Sequence, residues 1–280
     1  MIQYENSAGE TIRLDRAGFY ADEGTLRNFE WSYNYSAYPD GTGGSVSQFS
    51  RNDKTKNFNV SAHAYSRTEI DALLNRLNNV TEYDVRSRMP GKLWLNQQYL
   101  SCYLIGSEIT EKSRHMLFVT KKMTVLPVVP YWCIEETKNF IAGGASVSSA
   151  NGKRYNGRYP YKYGTGYAQT TLDNTVGSWE TPMILTIYGP AVNPSLSIGG
   201  HSYTLNTTIA ARERAVIDQL HKKIYKIGTT GGKSNLFNTR DKKNDIFQYA
   251  PIGMVPVLYN GDYSFDITLI HQRSEPLWND

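Results

Sequence analysis

The run Gly228-Thr229-Thr230-Gly231-Gly232-Lys233-Ser234 has the residue types of a phosphate-binding loop: glycines that let backbone N–H groups approach an anion, then a lysine and a hydroxyl. Its spacing fails. The motif needs a glycine five residues before the last one, and that position holds Ile227. Asn235-Leu236-Phe237-Asn238 then opens no helix whose N-terminus would face phosphate. His63, His115, His201, His221 and His271 are scattered, with no pair at the i, i+4 spacing of a helical metal site. Cys102 and Cys133 form neither a CxxC nor a Cys/His cluster and read as ordinary buried thiols of a chain folded in a reducing compartment. No Gly-x-Ser-x-Gly elbow is present. Carboxylate pairs have no fixed spacing, so Glu135, Glu136, Asp173, Glu180 and Asp266 stay open as glycosidase-type acids. Glu135 and Glu136 are a poor pair, because adjacent residues of a strand point to opposite faces.

The elements that would position such groups are mostly strands. Phe29, Trp31, Tyr33 and Tyr35 alternate, predicting a strand with a heavily packed aromatic face. Phe58, Val60, Ala62 and Ala64 share a face of a second strand. One amphipathic helix is expected near residues 68–79: Thr68 caps it, Ile70, Leu73, Leu74 and Leu77 make one apolar stripe, and Asn78-Asn79 ends it. Strands resume after Pro90-Gly91, with a turn near Asn96-Gln97-Gln98. Pro127 and Pro130 cannot donate to a ladder, so the domain boundary is placed at 131/132. Residues 142–178 are rich in Gly, Ser, Asn and Tyr and read as a long arm, with Tyr159, Tyr161 and Tyr163 as candidate interface or glycan contacts. From Met183 onward, short strands separated by Gly, Pro and Asn turns predict a β-sandwich. Asn260-Gly261 gives the sharpest hairpin signal.

Composition agrees with a β-rich architecture: 21 tyrosines and 23 glycines suit pleated surfaces and tight turns. A net charge of +4 over 280 residues, with no basic tract, excludes a nucleic-acid or anionic-membrane partner recognised by charge. No apolar run approaches the length of a membrane span, and the first ten residues lack the pattern of a signal peptide.

Several phrases in order carry a family resemblance. They are Tyr159-Pro160-Tyr161-Lys162-Tyr163, Tyr188-Gly189-Pro190 with Asn193-Pro194, and Ile198-Gly199-Gly200-His201-Ser202-Tyr203. Ile246-Phe247-Gln248-Tyr249-Ala250-Pro251 follows, and the closing phrase is Arg273-Ser274-Glu275-Pro276-Leu277-Trp278. With Pro90-Gly91-Lys92-Leu93-Trp94-Leu95 in the first half, the sequence resembles the distal tail proteins of long non-contractile tailed phages and their prophage relatives along its whole length. The resemblance implies a mainly β chain: an N-terminal ring-forming β domain over 1–131, with its helix, and a C-terminal galectin-like or jelly-roll sandwich over 132–280. It implies a non-enzymatic hub without cofactors, a homo-hexameric ring joining the tail tube protein to the tail-fibre or tail-lysin protein and to receptor-binding proteins. Its place would be the virion tail tip, after assembly in the bacterial host cytoplasm. Tyr188, Gly189, Pro190, Asn193, Pro194, Pro276 and Trp278 read as determinants of the fold, with Trp278 buried and pinning the last strand. The alternative is a glycan-binding adhesion module of a phage tail.

Overall fold

A computed structural model describes residues 1–51, 54–113, 115, 117–142, 168–177 and 179–278, the side chains of 168 and 169 excepted. Strands account for 53% of it, with one α-helix among the described residues, so the chain is mainly β. Among the described residues no helix is long and apolar enough to cross a membrane. Two compact units are present: Met1–Ile134 with Gln272–Asp280, and Glu135–His271.

The first unit holds β1 (Ile2–Glu5), β2 (Thr11–Arg13), β3 (Phe19–Ala21), β4 (Ser32–Ala37), β5 (Gly44–Ser50), β6 (Lys56–His63), α1 (Arg67–Ser87), β7 (Gly91–Leu95), β8 (Gln98–Lys112) and the greater part of β9 (Phe118–Phe140). All its pairings are antiparallel: β2 on β1, β1 on β7, β7 on β8, β8 on β9, β9 on β6 and β6 on β3. Alternation in β6 buries Phe58, Val60 and Ala62, and Lys56 with them.

Helix α1 starts earlier and runs longer than its sequence pattern indicates. Ser66, not Thr68, is the N-cap, its hydroxyl accepting from Glu69 N at 3.3 Å. Asn78-Asn79 does not end it, because the buried stripe continues through Val80, Thr81 and Asp84 until Arg88 adopts φ 56°. Asp84 is fully buried, accepting from Tyr4 Oη at 2.5 Å and from Ser7 N at 2.7 Å, and so fastens the helix end to the chain around β1. Burial and this carboxylate push the Tyr4 phenol far above its ordinary range.

Strand β9 runs through Pro127 and Pro130, contrary to the expected stop. Leu100 faces Trp132 while Cys102 faces Pro127, so the register with β8 shifts between these pairs and Pro130 falls in the gap. The first unit accordingly ends at Ile134 and reclaims 272–280, whereas the sequence placed the break at 131/132 and the C-terminus in the second domain.

The second unit is a sandwich. β10 (Ala168–Asn174), β19 (Gly253–Tyr259), β13 (Ser195–Ile198) and β14 (His201–Thr204) make one sheet in that order. β18 (Lys233–Asn235), β17 (Lys223–Ile227), β16 (Arg214–Asp218), β11 (Met183–Tyr188) and β20 (Phe265–Arg273) make the other, and β12 (Ala191–Val192) pairs β15 (Thr208–Ile209). Leu185, Ile217 and Ile267 from one sheet and Leu196, Val257 and Tyr259 from the other lie in one core. Asn260-Gly261 makes a turn, with Gly261 at φ 81°, but not the expected hairpin: β19 and β20 belong to different sheets. Tyr259 and Tyr263, packed on Phe265 at 4.8 and 6.1 Å between ring centroids, carry the chain across the core instead.

Replacing Asp84 with alanine strands the Tyr4 hydroxyl and the Ser7 N–H in the interior. Denaturant titration of Asp84→Ala is expected to show a loss of about 2–4 kcal/mol, and Asp84→Asn a smaller one; a loss within error of zero would contradict this fastening.

Candidate assembly surface

Strands β4 and β5 pair only with each other, as a separate two-stranded sheet among the described residues. The aromatic strand therefore starts at Ser32 and is not packed. Tyr33 faces Phe49 across the ribbon and Tyr35 faces Val46, yet Tyr33 is 62% exposed and Phe49 63%. This corrects the expected buried face: the alternation is real, but the described residues leave it exposed. Gly44 closes the ribbon because a Cβ there would lie 2.4 Å from Ser36 O and from the Tyr35 ring.

The root of the ribbon is held firmly. Thr25 N donates to Asn57 O at 2.8 Å, and Asn59 donates to Asp22 through its N–H at 2.9 Å and its amide at 2.8 Å. Lys56 Nζ donates to Leu26 O at 2.8 Å and Asn28 O at 2.5 Å. Burial, with the nearby Arg51 charge, brings its ammonium down to about 8. The Arg51 guanidinium lies 4.9 Å from the Tyr131 ring and 5.8 Å from the Trp31 ring. Beside this root runs a groove of about 1020 Å³ in the first unit, with Phe29, Trp278 and Pro130 on its walls.

Trp278 is 72% exposed, so it does not pin a strand as expected. Its indole rests on the Arg27 guanidinium at 3.9 Å and donates to Glu275 at 2.9 Å. Pro276 is buried and lies beyond the end of β20, not on that strand's edge. In the second unit the other signature residues sit together at a corner. Tyr188 Oη donates to Asp266 at 2.6 Å, and a Cβ on Gly189 would fall 1.9 Å from Ala210 O, which leaves glycine as the residue that fits. Gly189–Pro190 is cis, Asn193 takes φ 45°, and Pro194 O accepts from Leu205 N at 3.0 Å. Tyr159, Tyr161 and Tyr163, with most of the 142–178 arm, lie outside the described residues; its last part forms β10.

The candidate chemical groups are engaged in the fold. The glycine run is the turn between β17 and β18, closed by Gly228 N to Gly232 O at 2.9 Å. Asp266 accepts from Tyr188 and, at 2.8 Å, from Asn139, while Asp173 caps Thr175. His221 pairs with Asp218 at 2.8 Å, His201 meets Asp245 O at 2.7 Å, and buried His271 has Glu136 at 3.5 Å. Among the described residues no group of His, Cys, Asp and Glu is placed to hold a metal ion.

No family model and no curated protein matches the sequence. At the level of fold the chain is similar to proteins of phage baseplates and adsorption apparatus. A chain of the phage p2 baseplate, in its calcium-activated conformation, aligns with a TM-score of 0.65 over 98% of both chains at 13% identity. The strontium form of that baseplate gives 0.64 at 14% identity, over 99% of this chain and 100% of that one. The Dit protein of phage SPP1, described as a hub of the adsorption apparatus in phages infecting Gram-positive bacteria, gives 0.55 at 10% identity over 97% and 98%. The fold is thus that of the distal tail proteins the sequence resembles.

Lys56 supplies a test of the root. Its folded value lies below the ordinary lysine value, so the unfolded chain binds the proton more tightly and stability rises with pH above about 8. Relative to Lys56→Met, the wild type should gain about 1 kcal/mol per pH unit between roughly pH 8 and 9.5, read from urea unfolding. Parallel pH profiles would show that the ammonium is not buried.

Proposed function

We propose that this protein is a structural hub of a phage tail tip, with no enzymatic role, that assembles as a homo-hexameric ring. In this reading the ring joins the tail tube protein to the tail-fibre or tail-lysin protein and to receptor-binding proteins, and the outer sandwich is galectin-like. It is built in the bacterial host cytoplasm and works in the virion. The observation that carries the proposal is the β4–β5 ribbon, aromatic on a hydrogen-bonded root and exposed among the described residues. The fold likeness to a baseplate chain and to an adsorption hub, over nearly the full length of each, supports the same reading.

Magnitudes favour a closed ring over a pair. Covering the exposed half of Tyr33, Tyr35, Val46 and Phe49 is worth about 4 kcal/mol, at about 1 kcal/mol each. That is within the roughly 4–15 kcal/mol that association costs, so a lone contact is weak. Closure lets every subunit use both of its patches.

Native mass spectrometry and electron microscopy of the purified chain should show a six-membered ring at high concentration. The double variant Tyr33→Ser/Phe49→Ser should remain folded and monomeric. A wild-type chain that stays monomeric at every concentration would overturn the proposal.

A further inference from the structure

At one end of β16, Arg214 stands directly opposite Tyr188 of β11 and Ile227 of β17, so the three share a face of the sheet. The turn leading into β16 lies tightly on β11: Glu213 N donates to Ala210 O at 3.1 Å, and Gly189 N to Glu213 O at 3.0 Å. Beyond Ile227 the glycine run turns the chain, with Gly231 at φ 83°. Together these pieces enclose a pocket of about 320 Å³, lined by Arg212, Arg214, Tyr188, Ile227, Thr229 and the turn glycines.

Charge in this pocket is unbalanced. Its lining carboxylate, Glu213, is taken by Lys226 Nζ at 2.9 Å and by Ala210 N at 3.0 Å. The nearby Asp266 accepts from Tyr188 and Asn139. Among the described residues neither the Arg212 nor the Arg214 guanidinium has a carboxylate or hydrogen-bond partner. Arg212 is also an unfavourable residue for its place: it is exposed and sits at φ 68°, where glycine is preferred. Glycine would serve the backbone better, so what this residue contributes is its cation. In the glycine run, Gly228 N and Gly231 N bond within the turn at 2.9 and 3.0 Å, while Thr229 N takes no partner among the described residues.

We infer that this pocket binds a phosphate ester of a small polyol. Two guanidinium forks match the oxygens of a phosphate, and turn N–H groups add dipoles of the same sign. The volume falls at the lower end of ligand pockets, roughly 300–1,000 Å³, and leaves room for a short carbon chain beside Ile227 and the Tyr188 ring. The site goes beyond the assembly reading, and either can fail alone: its residues lie in the second unit, the ribbon in the first.

Phosphorus NMR titrations of the full chain test this with glycerol monophosphate, glycerophosphoglycerol and inorganic phosphate. Both esters should bind more tightly than inorganic phosphate, and salt should weaken them. A preference for the monoester would mark a phosphate-terminated small molecule as the ligand, and one for the diester a repeating polymer. Arg214→Ala should weaken ester binding by about tenfold, and Lys243→Ala, on an exposed loop, should leave it unchanged. Arg212→Gly should show the same loss while its unfolding midpoint stays equal or rises. A variant Arg212→Gly that is destabilised and binds as before would make the arginine structural and overturn the proposal. Equal affinity for all three probes, which means an adventitious ion only, would overturn it too, as would no binding of either ester at millimolar concentration.

Discussion

A two-stranded ribbon bonded only to itself is marginal in water, because it buries too little to offset the chain entropy it fixes. β4 and β5 are such a ribbon, and they carry aromatic rings where soluble edge strands usually carry charge. The rest of the first unit is consistent with that one demand. Lys56, Asp22 with Asn59, and Thr25 with Asn57 fasten the segments that enter and leave the ribbon. Sequence, local geometry and packing therefore all prepare an apolar element that the described residues leave exposed.

The second unit follows a different logic. Its two sheets satisfy each other, and its signature residues turn corners: Gly189 under Ala210, Asn193 at positive φ, Tyr188 on Asp266. These residues serve backbone geometry and packing. A sandwich of this kind is a self-sufficient body, with its own core between the two sheets. Two of the five acids left open on residue type, Asp173 and Asp266, hold a turn and a strand pair.

Much of this was legible in the residues. Alternation located β6 and most strands of the sandwich, and the Ile70–Leu77 stripe located the helix. What was not legible depended on partners distant in sequence. Asn78-Asn79 reads as a helix end until Asp84 finds Tyr4 and Ser7. Pro127 and Pro130 read as strand breakers until the register shift against β8 leaves Pro130 in an unpaired gap and β9 runs on through both. Asn260-Gly261 marks a turn correctly, but a turn does not say whether the strands it joins share a sheet. The aromatic strand is the clearest case: period two reveals that Tyr33 and Tyr35 need a cover, and cannot tell whether the same chain supplies it.

The dependence of that ribbon on a second chain is open to direct measurement by amide hydrogen exchange at rising protein concentration. Amides of 32–37 and 44–50 should exchange quickly in dilute protein and slow several-fold as subunits associate, while the core of α1 stays constant. Equal exchange at all concentrations, or a ribbon already protected in the monomer, would contradict the account.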